Sequence, residues 1–88
     1  MTGGRNLPDL EREIAELERQ VPSIAAAGTD FAIRLDRRST TLISAVEELR
    51  ASAEDGAHLL QPDEFWSRTA SAVTALTAIR AAARSALR

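Results

Sequence analysis

The sequence predicts an all-α protein, a small three-helix bundle of 88 residues. Apolar residues recur at steps of three and four along three long segments, which is the spacing of a helix face that packs against other helices. Glycines at positions 28 and 56 separate these segments, and helices commonly end at such glycines. No segment shows the alternation of apolar and polar residues that is typical of a strand. We therefore expect a long antiparallel hairpin of two helices, with an N-terminal helix covering one side of it.

The first helix is predicted over residues 8–27, after a loose tail of residues 1–6. Asn6 can cap its N-terminus, and Pro8 suits its first turn. Pro22 lies inside the apolar pattern, where a proline removes one backbone hydrogen bond, so we predict a kink or a short break there. The predicted inward face of this helix consists of Leu7, Leu10, Ile14, Leu17, Val21 and Ile24.

The second and third helices are predicted over residues 30–55 and 63–87. Either Thr29 or Asp30 can cap the second helix. Because short connections make neighbouring helices antiparallel, these two helices are expected to form a hairpin. The length of the chain suits one domain, so residues 7–88 are expected to form a single helical domain. The predicted inward faces are Phe31, Leu35, Ser39, Leu42, Val46, Leu49 and Ala53 on the second helix, and Phe65, Thr69, Ala72, Leu76, Ile79, Ala83 and Ala86 on the third.

Self-association is expected because the core of a single copy is thin. Of the 88 residues, 17 are alanine, and the chain has no cysteine that could form a disulfide. Small domains with little core usually need another source of stability. A homo-oligomer supplies it, and a symmetric dimer is the simplest form. The predicted self-association surface is a second stripe on the third helix, formed by Ala70, Val73, Thr77 and Ala81.

The predicted function is a non-enzymatic interaction or assembly module that acts through helix packing. The sequence shows no motif for catalysis, for a cofactor or for a metal ion. His58 is the only histidine, and a lone histidine in a connection is more typical of a surface loop than of a metal site. Trp66 is the only tryptophan; it is either a core residue or an anchor for a partner, since aromatic side chains are frequent hot spots.

The charges are expected to polarise the bundle along its axis. The net charge is −2, and all 11 basic residues are arginine. In an antiparallel arrangement most acidic residues lie at one end of the bundle. The resulting electric field can orient a partner. The opposite end is predicted to carry Arg19, Arg34, Arg37, Arg38, Arg80, Arg84 and Arg88.

Two alternative functions remain at the level of the sequence. The first is a small nucleic-acid-associated or regulatory protein, in which Arg34, Arg37 and Arg38 on one face of the second helix contact phosphates. The net acidity, the absence of lysine and the lack of a helix-turn-helix pattern count against it. The second is a small helical-bundle enzyme that uses arginine and carboxylates, which requires a concave pocket with a buried carboxylate. The residues predicted to bind a possible anionic partner are Arg34, Arg37, Arg38, Arg80 and Arg84.

The cellular location is expected to be the cytoplasm. No apolar run approaches the length of about 20 residues that a membrane span requires. The N-terminus also lacks the charged and then apolar pattern of a signal peptide. We therefore expect no membrane partner. Because the sequence shows no cofactor motif, we also expect no cofactor.

Overall fold

The computed structural model describes residues 6–55 and 62–88, and these residues form the predicted all-α bundle. The helical elements in chain order are α1 (Leu7–Gln20), a 3₁₀ turn (Val21–Ser23), α2 (Ile24–Ala27), α3 (Thr29–Asp55) and α4 (Asp63–Ala86). Together α1, the 3₁₀ turn and α2 take the place of the first predicted helix. The predicted tail before Asn6, Gly56 and His58 lie outside the described residues.

Local chemistry explains where α1 begins and where it is interrupted. The Asn6 side chain accepts a hydrogen bond from the backbone N–H of Asp9 at 2.9 Å, which confirms the predicted cap. Pro22 lies in the 3₁₀ turn, which breaks the α-helical hydrogen bonding between α1 and α2. Ile24, just beyond the turn, has helical torsion angles of −56° and −45°. The break predicted at Pro22 is thus local.

Gly28 separates α2 from α3, as predicted for a C-terminal glycine. Its φ of 95° and ψ of −179° lie in a region that is essentially restricted to glycine. Its carbonyl accepts a hydrogen bond from the backbone N–H of Ala32 at 3.3 Å, so it also precedes the next helix directly. Consequently α3 begins at Thr29, one residue before the predicted start.

The two long helices form an antiparallel hairpin. The Arg84 Nε lies 3.2 Å from Asp36 Oδ1, and the Arg50 Nη1 lies 2.8 Å from Thr69 Oγ1. These pairs join the beginning of α3 to the end of α4, and the end of α3 to the beginning of α4. With 27 and 24 residues, the helices are about 40 and 36 Å long.

The shorter α1 lies across one side of this hairpin. It contacts α4 through a pair between Glu11 and Arg68, and it contacts α3 through a pair between Glu13 and Arg38. With 14 residues, it is about 21 Å long, roughly half the length of α3. One side of the hairpin is therefore covered, and the outer surface of α4 is not.

The core follows most of the predicted positions and departs from a few. Phe31, Leu49 and Val21 are only half-buried and pack at its margin. Ala32 and Ile43 are buried instead, because α3 contacts both α1 and α4 and its buried stripe is wider than one seam. The buried apolar residues are Leu7, Leu10, Ile14, Leu17, Ile24, Ala32, Leu35, Leu42, Ile43, Val46, Ala72, Leu76, Ile79 and Ala83.

Three predicted positions near helix ends are not core residues. Phe65 and Ala53 are half-buried, and Ala86 is exposed. Ala86 lies in the last turn of α4, where Ala82, Ser85 and Ala86 border a shallow depression beside α2. Val21 and Ile24 line the other side of that depression, and Ala83 is the last buried residue of α4.

Two polar side chains are fully buried, and both have hydrogen-bond partners. Ser39 Oγ donates to the Asp36 carbonyl at 2.9 Å. Thr69 Oγ1 donates to the Phe65 carbonyl at 3.0 Å and accepts from Arg50. Among the described residues, no buried side-chain nitrogen or oxygen lacks a partner. These short side chains let α3 and α4 approach closely without the cost of an unpaired polar group.

Replacing Gly28 with alanine should destabilise the fold through the backbone alone. A Cβ atom at this position meets nothing within 4 Å, so the cost is the unfavourable positive φ, which we expect to be about 1–3 kcal/mol. Urea denaturation followed by circular dichroism measures it. The neighbouring exposed Ala27→Ser variant is the control and should change stability by no more than about 0.5 kcal/mol. An equal effect of both substitutions would contradict the backbone explanation.

Candidate functional site

The outer face of α4 carries most of the residues predicted for self-association. Ala70, Thr77 and Ala81 are exposed, as such a surface requires. Val73 differs from them, because it is half-buried and packs against the core. Three of the four predicted residues therefore face the solvent, and Val73 contributes to the margin of the core.

The exposed register of α4 includes a residue that the sequence stripe missed. Thr74 is exposed and lies between Ala70 and Thr77 on the outer face, at steps of four and three. Thr74 could have been predicted from the apolar stripe of α4. Because each helical residue advances by about 100°, Thr74 lies nearly opposite the buried positions. The exposed positions at this spacing are Asp63, Ser67, Ala70, Thr74, Thr77, Ala81, Arg84 and Arg88.

The threonines of this face satisfy their hydroxyl protons within the helix. Thr74 Oγ1 donates to the Ala70 carbonyl at 3.1 Å, and Thr77 Oγ1 donates to the Val73 carbonyl at 2.8 Å. Hydroxyl groups bonded in this way offer no free donor to a neighbouring surface. The middle of the outer face is thus small, uncharged and close to apolar in character.

The two ends of α4 carry opposite charges. Asp63 and Glu64 lie in its first turn, and Arg84 lies in its last turn. This arrangement complements the helix dipole. The Arg84 side chain is 55% exposed although it pairs with Asp36.

Trp66 lies at the junction of α4 with the end of α3. Its ring meets that of Phe65 edge to face, with centroids 4.9 Å apart. The Arg50 guanidinium lies 5.3 Å from the Trp66 ring centroid and donates to the Trp66 carbonyl at 3.3 Å. Trp66 is half-buried in this cluster, so only part of its ring is open to a partner.

The arginines predicted to bind an anionic partner do not form one surface. Arg38 lies on the α1 side of α3, where its Nη2 is 3.5 Å from Glu13 Oε1. Arg84 lies on the α4 side, where it pairs with Asp36. Arg34 and Arg37 are exposed on α3, and Arg80 is half-buried on α4.

Two of these arginines border a cleft between α1 and α3. The cleft has a volume of about 400 Å³ and is lined by Gln20, Phe31, Arg34, Leu35 and Arg38. An adjoining concavity of about 180 Å³ shares Arg38 and includes Glu13, which is 29% exposed. The buried carboxylate that the enzyme hypothesis requires is absent from the described lining of both.

A second groove, between α1 and α4, is spanned by an ion pair. Arg68 donates from Nε to Glu11 Oε2 at 2.9 Å and from Nη2 to Oε1. This hydrogen bonding lowers the pKa of Glu11 below its usual value, against the opposing effect of burial. It likewise raises the pKa of Arg68. The groove has a volume of about 290 Å³ and includes Ile14, Ser71 and Ala75.

The described residues include no group of three or more histidine, cysteine, aspartate or glutamate side chains placed to hold a metal ion. In the same part of the chain, no helix combines the length and the apolarity needed to cross a bilayer. Comparisons of the chain with protein-family models, curated proteins and solved structures found no match. The candidate sites therefore stand on the geometry of this chain.

Removing the carboxylate charge of Glu11 should destabilise the fold in a pH-dependent way. Because the pKa of Glu11 is lower in the folded state, its contribution is complete above the unfolded pKa and is lost as the pH falls through the folded pKa. The difference in unfolding free energy between wild type and Glu11→Gln should therefore be measurable at about pH 6 and should shrink towards about pH 3.

Urea denaturation at both pH values measures this difference. Glu48 is exposed on α3, and the matched Glu48→Gln variant should remain within about 0.5 kcal/mol of wild type at each pH. A cost of Glu11→Gln that stays constant down to about pH 3 would show that the charge of Glu11 is not what stabilises the contact.

Removing the Arg50 side chain should loosen the junction between α3 and α4. The Arg50→Ala variant loses the hydrogen bond to Thr69 and the contact with the Trp66 ring, at an expected cost of about 1–2 kcal/mol. Tryptophan fluorescence during urea unfolding measures this cost, and a red shift of the native emission would report a more exposed Trp66. Arg37→Ala on the same helix is the control, with an expected change of no more than about 0.5 kcal/mol. Equal costs for the two variants would contradict the structural role of Arg50.

Proposed function

We propose that this protein is a non-enzymatic interaction module that self-associates through the outer face of α4. The observation that supports this proposal best is the exposed 4-3-4 spacing of small residues along α4, at Ala70, Thr74, Thr77 and Ala81. Two helices with small residues at such positions can approach to about 8 Å. Internal bonding of both threonine hydroxyls removes donors that would otherwise lose water on contact.

The charges of this face favour an antiparallel pair of α4 helices. In a two-fold arrangement centred between Thr74 and Thr77, Ala70 lies opposite Ala81 of the second copy. Asp63 then lies opposite Arg88 of the second copy, and the reverse pair forms at the other end. A parallel pair would instead place like charges together, which is unfavourable.

The size of this surface argues for weak association. A face about 36 Å long and about 10 Å wide buries roughly 400 Å² on each copy, or roughly 800 Å² in total. This total lies below the roughly 1,200 Å² of most stable interfaces. We therefore expect a reversible dimer with a dissociation constant in the range of about 10–500 μM.

The two alternative functions have less support. The nucleic-acid alternative uses Arg34, Arg37 and Arg38 of α3, and of these Arg38 lies beside Glu13. Arg84, a further candidate for an anionic partner, pairs with Asp36 on another side of α3. A continuous phosphate track needs its cations on one face. The clefts near these arginines also lack a buried carboxylate among their described residues, so we do not extend the proposal to catalysis.

A glutamate in the centre of the α4 face should prevent dimerisation. Thr77→Glu places two carboxylates near the two-fold axis, because each substitution occurs twice in a symmetric dimer. Thr77 is exposed, whereas Val73 packs against the core, so Thr77→Glu tests association without disturbing the fold. Sedimentation equilibrium between about 10 and about 500 μM should show a dimer for wild type and a monomer for the variant.

Ser44→Glu on α3 adds the same charge at an exposed position away from α4 and should dimerise like wild type. A folded wild type that remains monomeric over the whole concentration range would refute self-association. Exchange of the end charges tests the orientation: Asp63→Arg or Arg88→Asp alone should weaken the dimer, and the double variant should restore it. A double variant no better than either single variant would contradict the antiparallel arrangement.

A further inference from the structure

The cleft between α1 and α3 combines an apolar floor with a positively charged rim. Leu35 is buried and Phe31 is half-buried against the core, so both present carbon surface at the base. Arg34 and Arg38 stand at the rim, and Gln20 supplies an amide from α1. The arrangement resembles ligand sites in general, which are largely apolar with a few polar groups that fix orientation.

Arginines outnumber carboxylates around this cleft: Arg34 and Arg38 line it, and Arg37 and Glu13 line the concavity beside it. Arg34 and Arg37 make no ion pair with the described residues. Arg38 approaches Glu13 at 3.5 Å, with side chains 49% and 29% exposed. An ion pair this open to solvent contributes no more than about 1 kcal/mol. Asp36, the next carboxylate along α3, is bound to Arg84 on the α4 side.

The shape of the region favours an elongated ligand over a small anion. The concavity that adjoins the cleft at Arg38 extends along the α1–α3 groove to Thr41 and Leu42, and its lining includes Arg37 and Glu13. A phosphate ion would use the guanidinium groups and leave the floor of Phe31 and Leu35 unused. An acidic peptide segment with an apolar side chain would use both, since guanidinium groups bind carboxylates with paired hydrogen bonds.

We propose that this cleft is a docking site for an acidic segment of a partner protein. An apolar side chain of the segment enters the cleft onto Phe31 and Leu35, and flanking carboxylates bind Arg34 and Arg38. The cleft is lined from α1 and α3, whereas the self-association face belongs to α4. Docking at the cleft therefore does not depend on dimerisation, and variants at each surface test them separately.

The probe for this site is a fluorescein-labelled peptide with a central leucine, two glutamates on each side and a glycine at each end. Fluorescence anisotropy with the full chain should show saturable binding at low salt. Arg34→Gln and Arg38→Gln should each weaken binding about tenfold, since each removes a charged contact worth about 1.4 kcal/mol. The Thr77→Glu variant should bind the peptide like wild type.

Matched controls separate this site from the general positive field of the bundle end. Arg19→Gln removes the same charge at the same end but outside the cleft lining, and it should change affinity by less than about twofold. A peptide with serine in place of leucine should bind about tenfold more weakly, and so should one with glutamine in place of glutamate. Circular dichroism verifies that each variant remains folded.

Several outcomes would overturn the proposal. One is the absence of saturable binding by the folded wild type up to about 1 mM peptide. Another is an equal loss of affinity in Arg19→Gln and Arg34→Gln, or equal affinity for the leucine and serine peptides. A single-stranded oligothymidine that binds more tightly than the peptide, with the same dependence on Arg34, would reassign the arginines to nucleic-acid phosphates.

Discussion

The close packing of α3 against α4 is the contact on which the rest of the structure depends. Small residues contribute to it, because Ser39 on α3 and Thr69 and Ala83 on α4 are fully buried and add little bulk between the helices. Larger side chains such as Leu42 and Leu76 fill the adjoining space. The buried hydroxyl groups of Ser39 and Thr69 donate hydrogen bonds to carbonyls of their own helices. The two helices therefore pack together without leaving these polar atoms unpaired.

The unequal lengths of the helices then determine which surfaces stay open. Because α1 is about half as long as α3 and lies on one side of the hairpin, it creates grooves with α3 and α4 and leaves the outer face of α4 to the solvent. The two open surfaces differ in chemistry. The α4 face is small and uncharged at its middle, and the α1–α3 cleft has an apolar floor below Arg34 and Arg38. The α4 face and the cleft lie on different helices, so the two surfaces do not overlap.

Most of the helical organisation could be predicted from local signals in the sequence. Asn6 caps α1 and Gly28 separates α2 from α3 because each acts within a few residues of its own position. The break at Pro22 follows from the same local backbone chemistry. The apolar periodicity likewise indicated which stripe of α4 faces the core, since five of its seven predicted positions are buried: Thr69, Ala72, Leu76, Ile79 and Ala83.

The chemistry of the surfaces depended on contacts between residues far apart in the chain. Arg84 pairs with Asp36 across 48 positions, and Arg68 pairs with Glu11 across 57, distances over which residue spacing carries no information. Arg84 thus lies on the α4 side of α3, whereas Arg38 lies on the α1 side beside Glu13. The burial of Val73 was likewise decided by how α3 lies against α4. Spacing along the chain thus determines helices and their principal apolar faces, whereas the open surfaces and their net charges follow only from the relative directions of the packed helices.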